Sequence, residues 1–308
     1  MIHDLLIKFK KPSVYAEGFL FLILLLFFSC ATPPAPTVQT ESEVQASLVP
    51  ERISWLKIKN TDWAEYFFYE NKNYPLRYHC VKINLASKNL SIVTYPQSKN
   101  DFSYKNGNRT DFFTGMTGES FSKKFNSIVS VNTSPFKGRT NMSKLTSLTS
   151  TRKILGIHVS NKELLSNPVE KYSALIFKKN AEGFDGEILI NQTNEDFSQY
   201  DFAFGGFFTI LKDSKKLPFT RQTNDSRTAI GLSKNGKILF ILVVEGEKQK
   251  KSIGLSFQEC ADIMLELGAD SAMQMDGGSS SMLCINQKNM LQYKQIVKNA
   301  VILGFANK

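Results

Sequence analysis

The chain has 308 residues, with 38 Lys and Arg against 28 Asp and Glu, a formal net charge of +10. The excess lies in lysine-rich loops such as Lys248-Gln249-Lys250-Lys251, without the interleaved arginine and aromatic residues that follow a nucleic-acid backbone, so the charge reads as solvated surface and argues against nucleic acid as a partner. The histidines are His3, His79 and His158; with His3 in the N-terminal segment, they cannot cluster, which argues against Ser-His-Asp chemistry and a histidine zinc site.

Lys8, Lys10 and Lys11 precede an apolar run from Phe19 to Phe28, and Ser29-Cys30 follows at once. The run is shorter than the roughly 20 residues of a spanning helix. It resembles a bacterial lipoprotein signal peptide, with Phe27 three residues before the cysteine. The resemblance implies that residues 1–29 are removed and that Cys30 is acylated. Two acyl chains make membrane attachment stable, which implies a lipid-anchored protein of the bacterial cell envelope, facing the periplasm or the surface. An ordinary cleaved signal peptide or an uncleaved anchor helix would equally export the chain. Residues 30–50, rich in Pro, Thr, Ser, Gln and Glu, read as a flexible tether.

Residues 51–308 are enough for one large core. Strand-like runs dominate: Tyr78 to Leu85, Leu90 to Thr94, Ser127 to Val131, Ile154 to Val159, Ala174 to Phe177, Ile188 to Ile190, Phe202 to Leu211 and Ala300 to Phe305. The aromatic stretch Trp55 to Tyr69 reads as a further strand on the domain. Clear helix signals are few. The expected class is α+β, a single domain with a large mixed sheet and few flanking helices.

The strongest local signal is Ser233-Lys234-Asn235-Gly236 between the apolar runs Thr228 to Leu232 and Lys237 to Val244, a β-hairpin turn. With Asn235 and Gly236 central, cross-strand partners sum to 471, so Arg227 faces Val244 and Ser226 faces Glu245. Ser256-Phe257-Gln258-Glu259 has the form of a capping box and opens a helix that Gly268 stops. A short strand from Ser271 to Met275 then ends at Asp276. If that strand lies parallel to Ile238–Val244 in one sheet, both C-terminal ends point the same way, and Arg227, Glu245 and Asp276 converge.

After Asp276 come Gly277, Gly278, Ser279, Ser280 and Ser281. Two glycines readily take φ > 0 and can turn consecutive N–H groups toward an anion. An isolated Asp-Gly-Gly is also an ordinary tight turn, and an arginine beside two carboxylates is also an ordinary ion pair. Together, a guanidinium suited to phosphate and two carboxylates suited to glycoside hydrolysis suggest a sugar phosphate.

The order Asn132, Arg227-Thr228-Ala229-Ile230-Gly231, Val243-Val244-Glu245-Gly246, Gly254-Leu255-Ser256, Leu267-Gly268-Ala269, Asp276-Gly277-Gly278-Ser279-Ser280-Ser281 resembles the phosphodiester glycosidase family. Its lysosomal member removes N-acetylglucosamine from a phosphodiester-linked mannose. The resemblance spans roughly Leu76 to Phe305. The chain departs from the usual Asn-Gly-Gly-Phe-Phe at Asn132-Thr133-Ser134-Pro135-Phe136, and has Ser279 where a third glycine is common.

The resemblance implies an exported hydrolase that cleaves a sugar-1-phosphodiester. In this reading Asp276 orients or activates the nucleophile, Glu245 is the second carboxylate and Arg227 holds the phosphate. Gly277, Gly278, Ser280 and Ser281 cradle oxygens, Thr228 and Ser279 also line the substrate, and Asn132 bonds a sugar hydroxyl or the anomeric region. The sequence specifies no definite cofactor, and a divalent cation bound by carboxylates near Asp276 and Glu245 stays open. The rival reading is a non-catalytic envelope lipoprotein that binds phosphorylated or anionic glycans. A third is a purely structural envelope protein. Cys80, Cys260 and Cys284 admit at most one disulfide and read as buried thiols, with Cys260 and Cys284 a plausible contact.

Overall fold

The Asn-Gly hairpin is the centre of the fold. In the computed structural model, Arg227–Leu232 and Ile238–Val244 pair antiparallel from Arg227↔Val244 to Leu232↔Leu239, the register that the turn dictates. Residues 48–138 and 150–308 are described, apart from Asn194, Arg221, Glu247 and Gln249. The signal segment, Cys30 and most of the tether lie outside the described residues.

The hairpin occupies the middle of an eight-stranded sheet, whose order is Leu56–Lys57, Ala64–Asn71, Leu76–Asn84, Ile238–Val244, Arg227–Leu232, Ser271–Gln274, Phe208–Lys212, Lys215–Lys216. Ser271–Gln274 pairs with the far side of Arg227–Leu232, so it runs parallel to Ile238–Val244 with one strand between them. The described strand pairs are nevertheless all antiparallel and fall into four sheets, which corrects the expectation of one large mixed sheet. The helix crossover returns the chain to the far side of the hairpin's first strand rather than beside its second. The α+β expectation is roughly met by a mostly β fold, with two α-helices among the described residues, Gly118–Lys124 and Phe257–Glu266.

The longer helix starts as its sequence requires. Ser256 accepts from the Glu259 N–H while the Glu259 carboxylate accepts from the Ser256 N–H, and Gly268 follows the helix at φ +92°. Its apolar face, with Cys260, Ala261, Ile263 and Met264, covers Tyr78, Cys80, Ala229, Leu242 and Val244 on one side of the large sheet. The other side packs Val81, Ile230, Ile241, Val243, Met273 and Met275 against Val129, Val131, Leu283 and Phe305. These last four belong to a five-stranded sheet ordered Lys288–Asn289, Leu283–Ile285, Val129–Asn132, Ile302–Asn307, Leu90–Tyr95. Cys260 and Cys284 therefore sit in different cores, which corrects the expected contact; the three cysteines of Ala46–Lys308 are free and buried.

Two expected strands are each broken by a glycine. Gly156 at φ +100° divides Ile154 to Val159 into Thr151–Ile154 and His158–Ser160. Gly206, where a Cβ would meet the Gln274 carbonyl at 2.6 Å, divides Phe202 to Leu211 into Phe202–Gly205 and Phe208–Lys212.

Candidate functional site

Strand alternation decides which side chains meet at the end of the large sheet. Cross-strand partners share a face and consecutive residues do not, so Arg227 goes with Val244, and Glu245 projects from the opposite face. Arg227 lies on the helix side: its Nε donates to the Leu255 carbonyl at 3.0 Å, its Nη2 donates to the Thr223 carbonyl at 2.7 Å, and its guanidinium lies 4.1 Å from the Phe257 ring centre. The expected convergence of Arg227 with Glu245 is corrected: they share a sheet end, not a face.

The guanidinium that meets Glu245 is Arg77. Its Nε donates to Glu245 Oε1 at 3.3 Å, and a terminal nitrogen pairs with Glu70. His79 Nε2 lies 3.0 Å from the same Glu245 oxygen, and Gln292 N–H donates to Oε2 at 3.1 Å. Tyr66 donates its hydroxyl proton to His79 Nδ1 at 2.8 Å in the tautomer that leaves Nε2–H as donor to Glu245. With its amide oxygen turned inward, Gln292 also accepts from both terminal nitrogens of Arg77 at 3.0 Å. Burial alone would raise the Glu245 carboxyl, but His79, the Gln292 N–H and Arg77 outweigh it and hold Glu245 below the usual range. Burial pushes the His79 imidazole down, against the pull of Glu245, so it stays neutral.

Glu245 is only 4% exposed and both its oxygens are bonded, an arrangement suited to anchoring three segments rather than to meeting a substrate. Sequence reasoning missed Arg77 and His79, yet alternation along Leu76–Asn84 puts both on the face of Glu245. The register Val243↔His79 and Val244↔Tyr78 brings them to it.

Asp276 stands at the junction of the two sheets. Asn132, the last residue of Val129–Asn132, donates from Nδ2 to the Asp276 carbonyl at 2.6 Å. Its Oδ1 accepts from the Thr228 hydroxyl at 2.9 Å and from the Met282 N–H at 3.0 Å. Asp276 N–H donates to the Thr133 carbonyl at 2.8 Å. Asn132 is 1% exposed, so the expected sugar contact through its amide is corrected: that amide ties Arg227–Leu232 to both ends of the Asp276 loop. Thr228, fully buried on the same oxygen, belongs to this clamp and not to a substrate surface.

The expected N–H cradle is corrected as well. Gly278 does take φ +58°, but its N–H donates to the Ser226 carbonyl at 2.9 Å. The Ser280 and Ser281 N–H groups close a 3₁₀ turn on Gly277 and Gly278, and Gly277 N–H bonds the Asp276 carboxylate. These donors hold Asp276 instead of an outside anion. Ser279 is exposed, whereas the Ser281 hydroxyl is buried and has no partner among the described residues, as is also the case for those of Ser134 and Ser226 on the adjoining segments.

Asp276 itself is partly exposed. Surrounding protein removes enough water to push its carboxyl up to about 7, against the opposing pull of the Ser280 hydroxyl and the Gly277 N–H. A carboxyl that gains and loses its proton near neutrality can serve as acid or base. Among the described residues no group of three His, Cys, Asp or Glu could hold a metal ion. Glu245, with both oxygens engaged, is no ligand for a cation shared with Asp276.

The sequence profile of phosphodiester glycosidases matches residues 125–303, a span holding Asn132, Arg227, Glu245 and the Asp276 loop. The chain belongs to the phosphodiester glycosidase family. The fold agrees. It is similar to the catalytic domain of zebrafish N-acetylglucosamine-1-phosphodiester alpha-N-acetylglucosaminidase auto-inhibited by its pro-peptide, at 14% identity and a TM-score of 0.57, over 83% of this chain and 87% of that one. It is also similar to a hypothetical protein from Synechocystis at 12% identity and the same TM-score, over 84% of this chain. The chain spans 64% of the Synechocystis protein's length. No curated protein matches the chain.

Proposed function

We propose that the protein is an exported, lipid-anchored glycosidase that cleaves a sugar-1-phosphodiester of the N-acetylglucosamine type, with Asp276 as its working carboxyl. The observation that carries this reading is the partly exposed Asp276, poised near neutrality at the junction of the two sheets, inside the span that matches the family. As a carboxylate it takes a proton from water while the water oxygen attacks the anomeric carbon. The bond from that carbon to the bridging oxygen breaks, and the phosphate monoester leaves with the electron pair. Phosphate is a good leaving group, so one carboxyl is enough, in keeping with a Glu245 that is already fully bonded. Asn132, Thr228, Ser280 and Gly277 position Asp276, and Arg227 secures the helix-side support of the same sheet end.

Hydrolysis of an N-acetylglucosamine-α-1-phosphodiester in ¹⁸O-labelled water tests the reaction class. The expected result is label on the released sugar; label on the phosphate would overturn the glycosidase reading.

The second reading, a glycan-binding envelope lipoprotein, is favoured by the departures from the family pattern at Thr133-Ser134, beside Asn132, and at Ser279. It requires that the sugar phosphodiester binds without turnover.

A further inference from the structure

Three segments lie side by side next to the Asp276 loop. Phe207 N–H donates to the Gln274 carbonyl at 2.8 Å, two residues before Asp276, and Gly206 N–H donates to the Ser173 carbonyl at 2.9 Å. The residue before Ser173 is Tyr172. Its ring packs edge-on against Phe207 with centres 5.7 Å apart. On another side a Cβ at Gly156 would come within 3.2 Å of the Tyr172 ring, so the glycine there makes room for it.

The segment carrying Tyr172 is fixed by a buried amide. Gln192 Oε1 accepts from the Ile157 N–H at 2.9 Å and from the Val169 N–H at 2.8 Å, and its Nε2 donates to the Ser173 carbonyl at 2.8 Å. Gln192, 1% exposed, thus grips the chain on both sides of Tyr172 and joins it to the turn at Gly156. Tyr172 is half-buried, and among the described residues its hydroxyl makes no hydrogen bond. A ring held on two sides with a free hydroxyl is the arrangement of a donor preorganised for something outside the protein. Burial and the negative charge of Asp276 hold the Tyr172 hydroxyl above its usual value, so it keeps its proton and can donate.

We propose that Tyr172 is a substrate-contacting residue of the Asp276 site, whose hydroxyl donates a hydrogen bond to the phosphate oxygen that departs from the sugar. It transfers no proton; it stabilises the charge that gathers on that oxygen as the bond to the anomeric carbon breaks. This rests on the proposed glycosidase reading, which supplies the departing oxygen. A purely structural tyrosine would matter through its ring, whereas this role needs its oxygen.

The test is steady-state hydrolysis of an N-acetylglucosamine-α-1-phosphodiester by the full chain and by Tyr172→Phe, with calorimetric binding of N-acetylglucosamine 1-phosphate to both. Phenylalanine keeps the packing on Phe207 and Gly156 and removes a hydroxyl that bonds none of the described residues, so the thermal midpoint should not move. Loss of one preorganised donor should lower kcat on the order of a hundredfold with KM little changed. If wild type binds the sugar phosphate without turnover, the glycosidase reading falls, while weaker binding by Tyr172→Phe still supports the contact. Unchanged kcat with wild-type turnover, unchanged affinity without it, or a wild type that neither binds nor cleaves would overturn the contact.

Discussion

Arg227 and Glu245 leave the same end of one hairpin and project from opposite faces of its sheet. Arg227 shares its face with its partner Val244 in the helix-side core, and Glu245 turns toward Arg77 and His79. This separates a basic residue that supports the sheet end from an acidic one that binds strands and a loop together. It leaves Asp276, a partly exposed residue, as the one at the junction whose carboxyl is shifted toward neutrality.

Replacing Glu245 by Gln should act on stability first. Arg77 would keep its burial and lose one of its two carboxylates, Glu70 remaining, and losing such charge-assisted hydrogen bonds costs about 1.5–3 kcal/mol. Urea unfolding should show that loss, with unchanged stability excluding the anchoring role.

Arg227→Ala should also destabilise, by about 2 kcal/mol, through two lost hydrogen bonds to backbone carbonyls and the lost packing over Phe257. Arg227→Met should recover part of this by restoring apolar contact with the ring. If both variants are as stable as wild type and only KM rises, Arg227 holds the phosphate instead.

Asn132→Ala removes three hydrogen bonds that fix the Asp276 loop and leaves the Thr228 hydroxyl and the Met282 N–H without their acceptor. A stability loss of about 2–4 kcal/mol is expected, with kcat falling more than KM rises because Asp276 is displaced rather than the ligand released. An effect confined to KM would return Asn132 to the substrate surface.

The pH dependence follows from Asp276. Its folded value, about 7, lies above the ordinary 3.8, so between these limits the folded state holds more protons than the unfolded chain. Stability contributed by this group is therefore complete below the ordinary value and declines as pH rises toward the folded one. Asp276→Asn should flatten that decline in denaturation curves measured from pH 4 to 8; an unaltered slope would place the titration elsewhere.

The framework around this site was legible in the sequence, the side-chain arrangement within it was not, and the unread part has identifiable causes. Asn235-Gly236 fixes its hairpin register through local turn chemistry, and Ser256 with Glu259 fixes the helix start, because each signal lies within a few residues of its effect. Arg77 and His79 reach Glu245 across more than 160 positions, through a strand pairing that no local pattern announces. The Gly277 and Gly278 pair signals a tight turn, but whether its N–H groups face inward depends on Ser226, the residue just before the neighbouring strand. Alternation already separates Arg227 from Glu245 once their partners sum to 471; a shared strand end does not imply a shared face.

The most direct measurement compares release of the phosphate monoester from an N-acetylglucosamine-α-1-phosphodiester by the full chain and by folded Asp276→Asn. With Asp276 as the working carboxyl, turnover by the wild type should rise through a single ionisation near pH 7 and fall on the order of a hundredfold or more in the variant. Wild-type turnover that Asp276→Asn leaves intact, or no turnover of the diester at any pH, would contradict it.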